Sequence, residues 1–352
     1  MQARTPLVSI IVPSFNAAPF LPALCQSLQA QTFRDFEVLI GDDASTDGTR
    51  EAVAPFLADA RFRYLRWDTN RGVTQSTHLL LGLASGEFWG YPGADDLYEP
   101  SFLQERLEVL TARPTVGFVH GPPTMIDETG AVIGGPADHA SIWKLPWPER
   151  EILPGSQALA LLLQHNVVST PSVLIRMAAT RSVLAWMKPE WRYAQDWSYW
   201  LLHAASGYDV AFDRRPLHRY RIVSTSLTND PGKAACRQAE VRLVPLWALS
   251  RAAEFSFPAG ELWAQWGRSL YALWLRRAWG LARNGSLRDS WMVTAARAYY
   301  GTARGRVALW REVVRHAGSI ICSSRAERAA RQRQAVPVSG LAQIDQPLFR
   351  RP

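Results

Sequence analysis

Five aspartates stand out in this chain of 352 residues because each follows, or opens, a segment that would carry it to an exposed edge. Asp42 and Asp43 come one residue after the apolar run FEVLI, and Asp95 and Asp96 come shortly after a second run, EFWGY. Adjacent carboxylates repel, and they are costly at a strand end unless a cation or hydrogen-bond donors offset them. A divalent metal carrying a diphosphate would do so. Turn and cap chemistry is the alternative for either pair taken alone. Asp196, in YAQDWSYWLL, begins an amphipathic segment whose Trp197, Trp200 and Leu201 can anchor the backbone while the acid faces a cleft. Its blander reading is a first-turn carboxylate that favours the helix macrodipole, worth about 0.3–1 kcal/mol. No GxSxG elbow, no GxxxxGK[ST] phosphate loop and no GxGxxG after a strand occurs, so hydrolase, P-loop and dinucleotide readings lack their mechanical parts.

Short apolar runs alternate with amphipathic segments over the first 120 residues, the pattern of helices packed on a mainly parallel sheet. Strands are expected at Leu7 to Val12, Phe36 to Ile40, Phe62 to Trp67, Glu87 to Tyr91 and Val116 to Val119. Helices are expected at Pro19 to Gln31, from about Thr49, at Val73 to Ala84 and at Ser101 to Ala112, with a hairpin around MIDETGAVIG. In such a sheet both acidic pairs fall at the C-terminal ends of strands, the usual ligand crevice. Further on, Ser172 to Arg176 reads as a strand leading into a helix, Gln195 to Ser206 as a helix, and Asp209 to Phe212 and Leu217 to Ile222 as short strands. From about Pro231 to Ser319 the pattern turns helical, and residues 323–352 are polar, Arg-rich and punctuated by Pro and Gly.

Composition bounds the rest. With 47% hydrophobic and 20% charged residues the chain is globular. Its apolar stretches, such as Ala158 to Leu163, fall far short of the roughly 20 residues that span a bilayer. The N-terminus runs directly into a strand, which argues against a cleaved signal peptide and for a cytoplasmic chain. Three scattered cysteines, Cys25, Cys236 and Cys322, support neither a disulfide framework nor a zinc site. The formal charge of +8 is unevenly spread, at −7 over residues 1–130, +4 over 131–260 and +11 over 261–352. The acidic first part speaks against a body that grips nucleic acid, so no nucleic-acid partner is expected; binding through the basic last third would show steep salt dependence.

Six segments, VSIIVPSFNAA, EVLIGDDASTDGT, TNRGV, SGEFWGYPGADDLYEP, AQDWSYWLLHAASG and YRIVSTSLT, occur in the order and spacing found in nucleotide-sugar glycosyltransferases. Over about residues 6–230 the chain resembles the inverting enzymes of family 2. The resemblance implies the GT-A fold, an α/β architecture with a mixed, mainly parallel sheet flanked by helices. The chain is expected to divide into a GT-A domain at 1–230 and, beyond the reach of the resemblance and from the residue pattern alone, a helical C-terminal extension at 231–322 and a flexible basic tail at 323–352. By the same resemblance Pro13 and Phe15 line the nucleobase pocket, Asn16 joins them among the nucleotide-sugar-binding positions, and Asp43 accepts from the N3–H of uracil or thymine with Asp42 as its partner. Asp95 matches the metal-binding acid of the D-x-D element, with Asp96 beside it, for Mg²⁺ or Mn²⁺. Asp196 matches the catalytic base. The function implied is transfer, with inversion, from a UDP- or dTDP-activated donor to a hydroxyl of a surface polysaccharide or lipid-linked glycan.

The chain departs from the family pattern at named positions. Gly93 replaces the first D-x-D acid, Gln195 the usual Glu before the base, Thr77 and His78 a common Arg-Asn pair, and Val223 a common His metal ligand, for which His218 is a nearby substitute. These departures motivate a rival reading, a catalytically weakened regulatory module that binds the nucleotide sugar without turning it over. The acceptor side is expected from His165 to Ser172 and from Met187 to Arg192, with Trp191 and Tyr193 either stacking on sugar or packing in the core. The stripe of Trp263, Trp266, Leu270 and Trp274, with nearby arginines, either packs on a neighbouring helix or makes peripheral contact with the inner face of an anionic membrane.

Overall fold

The computed structural model describes residues 5–135, 152–187 and 191–223, and, beyond these, Arg237, Glu240, Val241, Val244, Pro245, Trp247 and Ala248. The strand β1 (Val8–Ser14) lies between β2 (Phe36–Asp42) and β4 (Phe88–Gly90), parallel to both, and β2 pairs in parallel with β3 (Phe62–Arg66). These strands are connected by α1 (Leu21–Gln29), by α2 (Thr49–Val53) running into a 3₁₀ turn at Ala54–Ala58, and by α3 (Val73–Leu83). After the two-residue β5 (Leu97–Tyr98) come α4 (Phe102–Ala112), β6 (Val116–His120) and the hairpin of β7 (Pro123–Ile126) and β8 (Val132–Gly134). The later part adds β9 (Ile152–Leu153), α5 (Gly155–Gln164), a 3₁₀ turn at Thr170–Ser172, β10 (Leu174–Arg176), α6 (Met177–Val183) and a further 3₁₀ turn at Leu184–Trp186. It closes with α7 (Gln195–Ala205), β11 (Asp209–Phe212) and β12 (His218–Arg221).

The eight-stranded sheet has the order β3-β2-β1-β4-β10-β6-β11-β9, and a small second sheet has the order β5-β12-β7-β8. Period-two side-chain alternation sorts the core onto the two faces of the large sheet. Ile11, Leu39 and Trp89 point toward α3, α5 and α7, whereas Val8, Ile10, Val12, Val38, Ile40 and Phe88 point toward α1 and α4. Because both faces are covered, β1 and β2 read as continuous apolar runs, as strands of parallel sheets do. Val244, Trp247 and Ala248 join the α5–α7 layer.

Two features were not expected. The strand β10 runs antiparallel between β4 and β6, Leu174 facing Gly90 on one side and Val119 on the other. The second sheet brings β12 alongside β5, so that His218 faces Tyr98, and parallel to β7. Strands of two residues carry too little periodicity to be read in advance. The Trp/Arg stripe of residues 261–283, Cys236, Cys322 and the tail 323–352 lie outside the described residues. Cys25 is buried in α1, and burial pushes its thiol up to about 12, the value of an inert core group. Among the described residues no helix is long and apolar enough to cross a membrane.

Candidate functional site

Parallel strands end on one side of their sheet, so the loops after β1, β2, β3 and β4 share one edge. The reversed β10 starts where β4 ends, and the Thr170–Ser172 turn that precedes it therefore belongs to the same edge. The loops carrying Asp42, Asp43, Asp95 and Asp96 thus leave the sheet on this edge.

The first pair is divided between two tasks. Asp42 closes β2, opposite Ser14, and is fully buried. Its carboxylate accepts from Ser45 N at 2.8 Å and from the Tyr64 hydroxyl, and it pairs with Arg66 at 2.6 Å. Burial alone would raise this carboxyl, but the hydrogen bonds of Ser45 and Tyr64 and the charge of Arg66 outweigh it and hold the group below its usual value. Asp43, 3% exposed, accepts from Arg71 N at 2.8 Å and Gly72 N at 2.7 Å, which fixes the loop entering α3. Each of its oxygens keeps a second lone pair for a ligand donor.

The β1 turn is tied to the β2 turn by side chains. Asn16 Oδ1 accepts from Thr46 N at 2.9 Å, Asn16 N donates to Ser45 Oγ, and Ala18 N donates to Asp47. Asn16 and Ala44 both adopt left-handed backbone, at φ 50° and 66°. Asn tolerates this conformation and Ala does so at a cost, strain of the kind that clusters at ligand-binding turns. Pro13 is the penultimate residue of β1, and Phe15, just beyond its end, is 51% exposed.

The second pair follows β4. Asp96 is buried and accepts from Arg221 N at 3.0 Å and Gly93 N at 3.1 Å; Arg221 Nε donates to Asp95 O at 2.7 Å. Burial, reinforced for Asp96 by the charge of Asp95, raises both carboxyls, that of Asp96 well above the ordinary range. A Cβ at residue 93 would stand 2.5 Å from Asp96 Oδ2 and 2.7 Å from Asp95 Oδ1, so the space of the absent acid is filled by the two that remain. His218, the sequence-based substitute ligand, is fully buried with Nε2 3.0 Å from Ser169 Oγ, and burial lowers its pKa to about 3. Among the described residues no group of three or more His, Cys, Asp or Glu side chains is arranged to hold a metal. The donor set therefore fits an Mg²⁺ or Mn²⁺ held by Asp95 together with oxygens of a bound diphosphate, since Mg²⁺ commonly takes one or two carboxylates plus substrate phosphates. Among the described residues it does not complete a cation site from protein side chains alone.

Asp196 lies in the first turn of α7. It accepts from Thr170 Oγ1 at 2.6 Å and from Trp197 N at 2.7 Å, with Asn166 as a further donor. Burial raises its carboxyl despite these donors, a favourable setting for a base. The segment is tied back to the first half: Thr74 Oγ1, at the start of α3, lies 2.6 Å from Trp191 O and 2.9 Å from Gln195 Oε1. Thr77 donates to the Tyr91 hydroxyl at 3.0 Å, His78 Nε2 is 2.9 Å from the Tyr199 hydroxyl, and that hydroxyl also accepts from Gln195. Thr77, His78 and Gln195, departures from the family pattern, thus form one network between α3 and α7. Trp191 lies in the core, its ring 5.9 Å from that of Trp247, so it packs rather than presenting a sugar platform. Asn166 and Thr170 fall within the expected acceptor span of His165 to Ser172 without being marked there individually, and neither Thr74 nor Glu240, which bears on the same turn, is marked by the sequence. Hydroxyl, amide and helix-borne acid residues carry no spacing signal of their own.

Comparison with known proteins adds a family match. The family profile described as Glycosyl transferase family 2 matches residues 9–220. A Bacillus subtilis protein named as a putative teichuronic acid biosynthesis glycosyltransferase, TuaG, is 26% identical over 234 residues, 65% of this chain and 84% of that protein. The Escherichia coli enzyme named UDP-Glc:alpha-D-GlcNAc-diphosphoundecaprenol beta-1,3-glucosyltransferase, WfgD, is 31% identical over 126 residues, 36% of this chain and 49% of the relative. Residues 1–349 of S. aureus TarS superpose with a TM-score of 0.57 at 16% identity, covering 88% of this chain and 91% of that one. The mannosyltransferase PcManGT from Pyrobaculum calidifontis, solved with GDP-Man and Mn²⁺, superposes with a TM-score of 0.52 at 18% identity, covering 90% and 87%.

Proposed function

The chain belongs to glycosyl transferase family 2 and has the GT-A fold, and from that premise we propose that it transfers a sugar, with inversion, from a UDP- or dTDP-activated donor to a hydroxyl of an envelope polysaccharide or lipid-linked glycan. The observation that carries this reading is the placement of Asp196. Its carboxylate sits at the shared sheet edge, hydrogen-bonded by Thr170 and raised by burial. The names of TuaG and WfgD, which refer to teichuronic acid and to a diphosphoundecaprenol-linked sugar, support the acceptor class. Crystal structures of TarS with UDP and with UDP-GlcNAc support a uridine donor.

In this mechanism Phe15 lies against the base, Pro13 and Asn16 shape the turn beside it, and the free lone pairs of Asp43 accept the N3–H. Asp42 braces that turn from beneath. Asp95 would hold an Mg²⁺ or Mn²⁺, with Asp96 supporting the loop, and a bound ion would supply positive charge against the diphosphate leaving group. Asp196 takes the proton of the acceptor hydroxyl as that oxygen bonds to the anomeric carbon. The bond from that carbon to the diphosphate oxygen breaks on the opposite face, and the nucleoside diphosphate leaves with the electron pair. With UDP release followed across a panel of activated sugars and undecaprenyl-diphosphate-linked acceptors, Asp95→Ala and Asp196→Asn should each lose nearly all transfer while staying folded. Unchanged rates in either variant would refute its assignment.

A further inference from the structure

The N-terminus of α7 lacks a side-chain cap of its own: Ala194 occupies the capping position and supplies none. The backbone N–H groups just before a helix are then left for an outside partner. That partner is Glu240, 46 to 48 residues along the chain and only 1% exposed. Its carboxylate accepts from Arg192 N at 3.0 Å, Tyr193 N at 2.6 Å and Ala194 N at 3.0 Å. Three successive amides on one buried carboxylate form a charge-assisted set, about twice as strong per bond as neutral ones. Trp247 packs its ring edge-on against Trp191 at 70°, while Thr74 holds the Trp191 carbonyl from the α3 side. The turn 191–194 is therefore held on both sides, and Asp196 follows it by two residues.

We infer that Glu240 is a positioning residue for sugar transfer, one that sets the turn from which Asp196 reaches the acceptor hydroxyl. The inference rests on the proposed role of Asp196 as base. It assigns a task to a part of the chain beyond the family match at 9–220. Burial raises the Glu240 carboxyl and the three amides oppose that rise, which fits a group whose work is to bind backbone N–H. A neutral replacement of the same shape offers one acceptor oxygen in place of two and turns an amide NH2, itself a donor, toward one of the N–H groups, so it should serve less well than the acid and better than no side chain.

The test uses the full-length chain as Glu240→Ala and Glu240→Gln, each also in an Asp196→Asn background. Three readouts are taken: UDP binding, steady-state UDP release with the donor and acceptor that give turnover, and hydrogen exchange of the peptide covering residues 191–197. Positioning predicts faster exchange in that peptide and a kcat lower by about 10²-fold in Glu240→Ala, the scale of a misplacement of about 1 Å. Glu240→Gln should lie between it and the parent, with donor KM and UDP affinity unchanged. Neither substitution should reduce the residual rate further once Asp196 is Asn, because residues that act through one group are not additive. If Glu240→Ala does not fold, Glu240→Gln carries the same comparison. Unchanged kcat or unchanged exchange at 191–197 overturns the inference and leaves the base assignment standing. An equal loss in the Asp196→Asn background assigns Glu240 a merely structural role and also overturns it. An Asp196→Asn variant that transfers at the parent rate sinks the base reading itself.

Discussion

Around the ends of β1 to β3, Asp42 and Asp43 find their partners within one stretch of chain, Asp42 with Ser45, Tyr64 and Arg66, and Asp43 with Arg71 and Gly72; Asp96, after β4, is held by Arg221 from 125 residues away as well as by Gly93. Around α7 the partners come from everywhere. Asp196 is held by Thr170, Gln195 by Thr74 from 121 residues away, and the turn before them by Glu240. The first region holds its acids through local turn chemistry, so a single change there should act locally. The second holds one acid through tertiary packing, and damage to any distant support should reach it.

The largest expected effect separates binding from turnover. Asp196→Asn should lower kcat by about 10²–10⁴-fold, the usual share of a general base, with UDP affinity intact by calorimetry. Next, Trp247→Ala should cost about 3–5 kcal/mol of folding stability in denaturant titration, because a large buried ring is lost from the layer that supports α7. Gly93→Ala probes the acids after β4. Its Cβ would displace carboxylates already pinned by backbone N–H, so Mn²⁺-dependent UDP binding should weaken in calorimetry while metal-free binding holds. If the parent itself binds UDP tightly without metal and hydrolyses no donor, the regulatory-module reading gains and the transferase reading loses.

A smaller effect concerns pH. Asp196 must be ionised to act, and burial raises its pKa, so the acidic limb of the kcat–pH profile should lie above the range of an ordinary aspartate. The Thr170 hydroxyl stabilises the charged form; Thr170→Val should therefore raise the pKa further and move that limb to higher pH. A shift to lower pH would count against the hydrogen bond as a tuning contact. Least of all, Val132→Thr on the exposed strand β8 should change stability by no more than about 0.5 kcal/mol, since that side chain touches neither region.

The same contrast explains what could be read in advance. Strands β1 to β4 and helices α1, α3 and α4 are visible in the amino-acid pattern because each buries a periodic face, and Asp42, Asp43, Asp95 and Asp96 are visible because paired acids at strand ends are conspicuous. The division of labour within a pair is not legible: nothing in the letters DD says that Arg66 neutralises the first while the second pins Gly72. Strand β10 reads as a strand, but its reversed direction depends on which edge is free when the sheet closes. Glu240 is hidden for a different reason, since an acid on a helix face looks solvated until the partner turn is brought against it.

The reversed strand also bears on how the molecule comes together during synthesis. Strands β3, β2, β1 and β4 are complete once residue 90 has emerged, and apart from the later pairing of β4 with β10 they pair only with one another. Strand β6 then has no neighbour within that block until residues 174–176 arrive to bridge it to β4. A nascent chain can thus assemble one side of its crevice well before the other, with Trp247 and Glu240 among the last described groups to join.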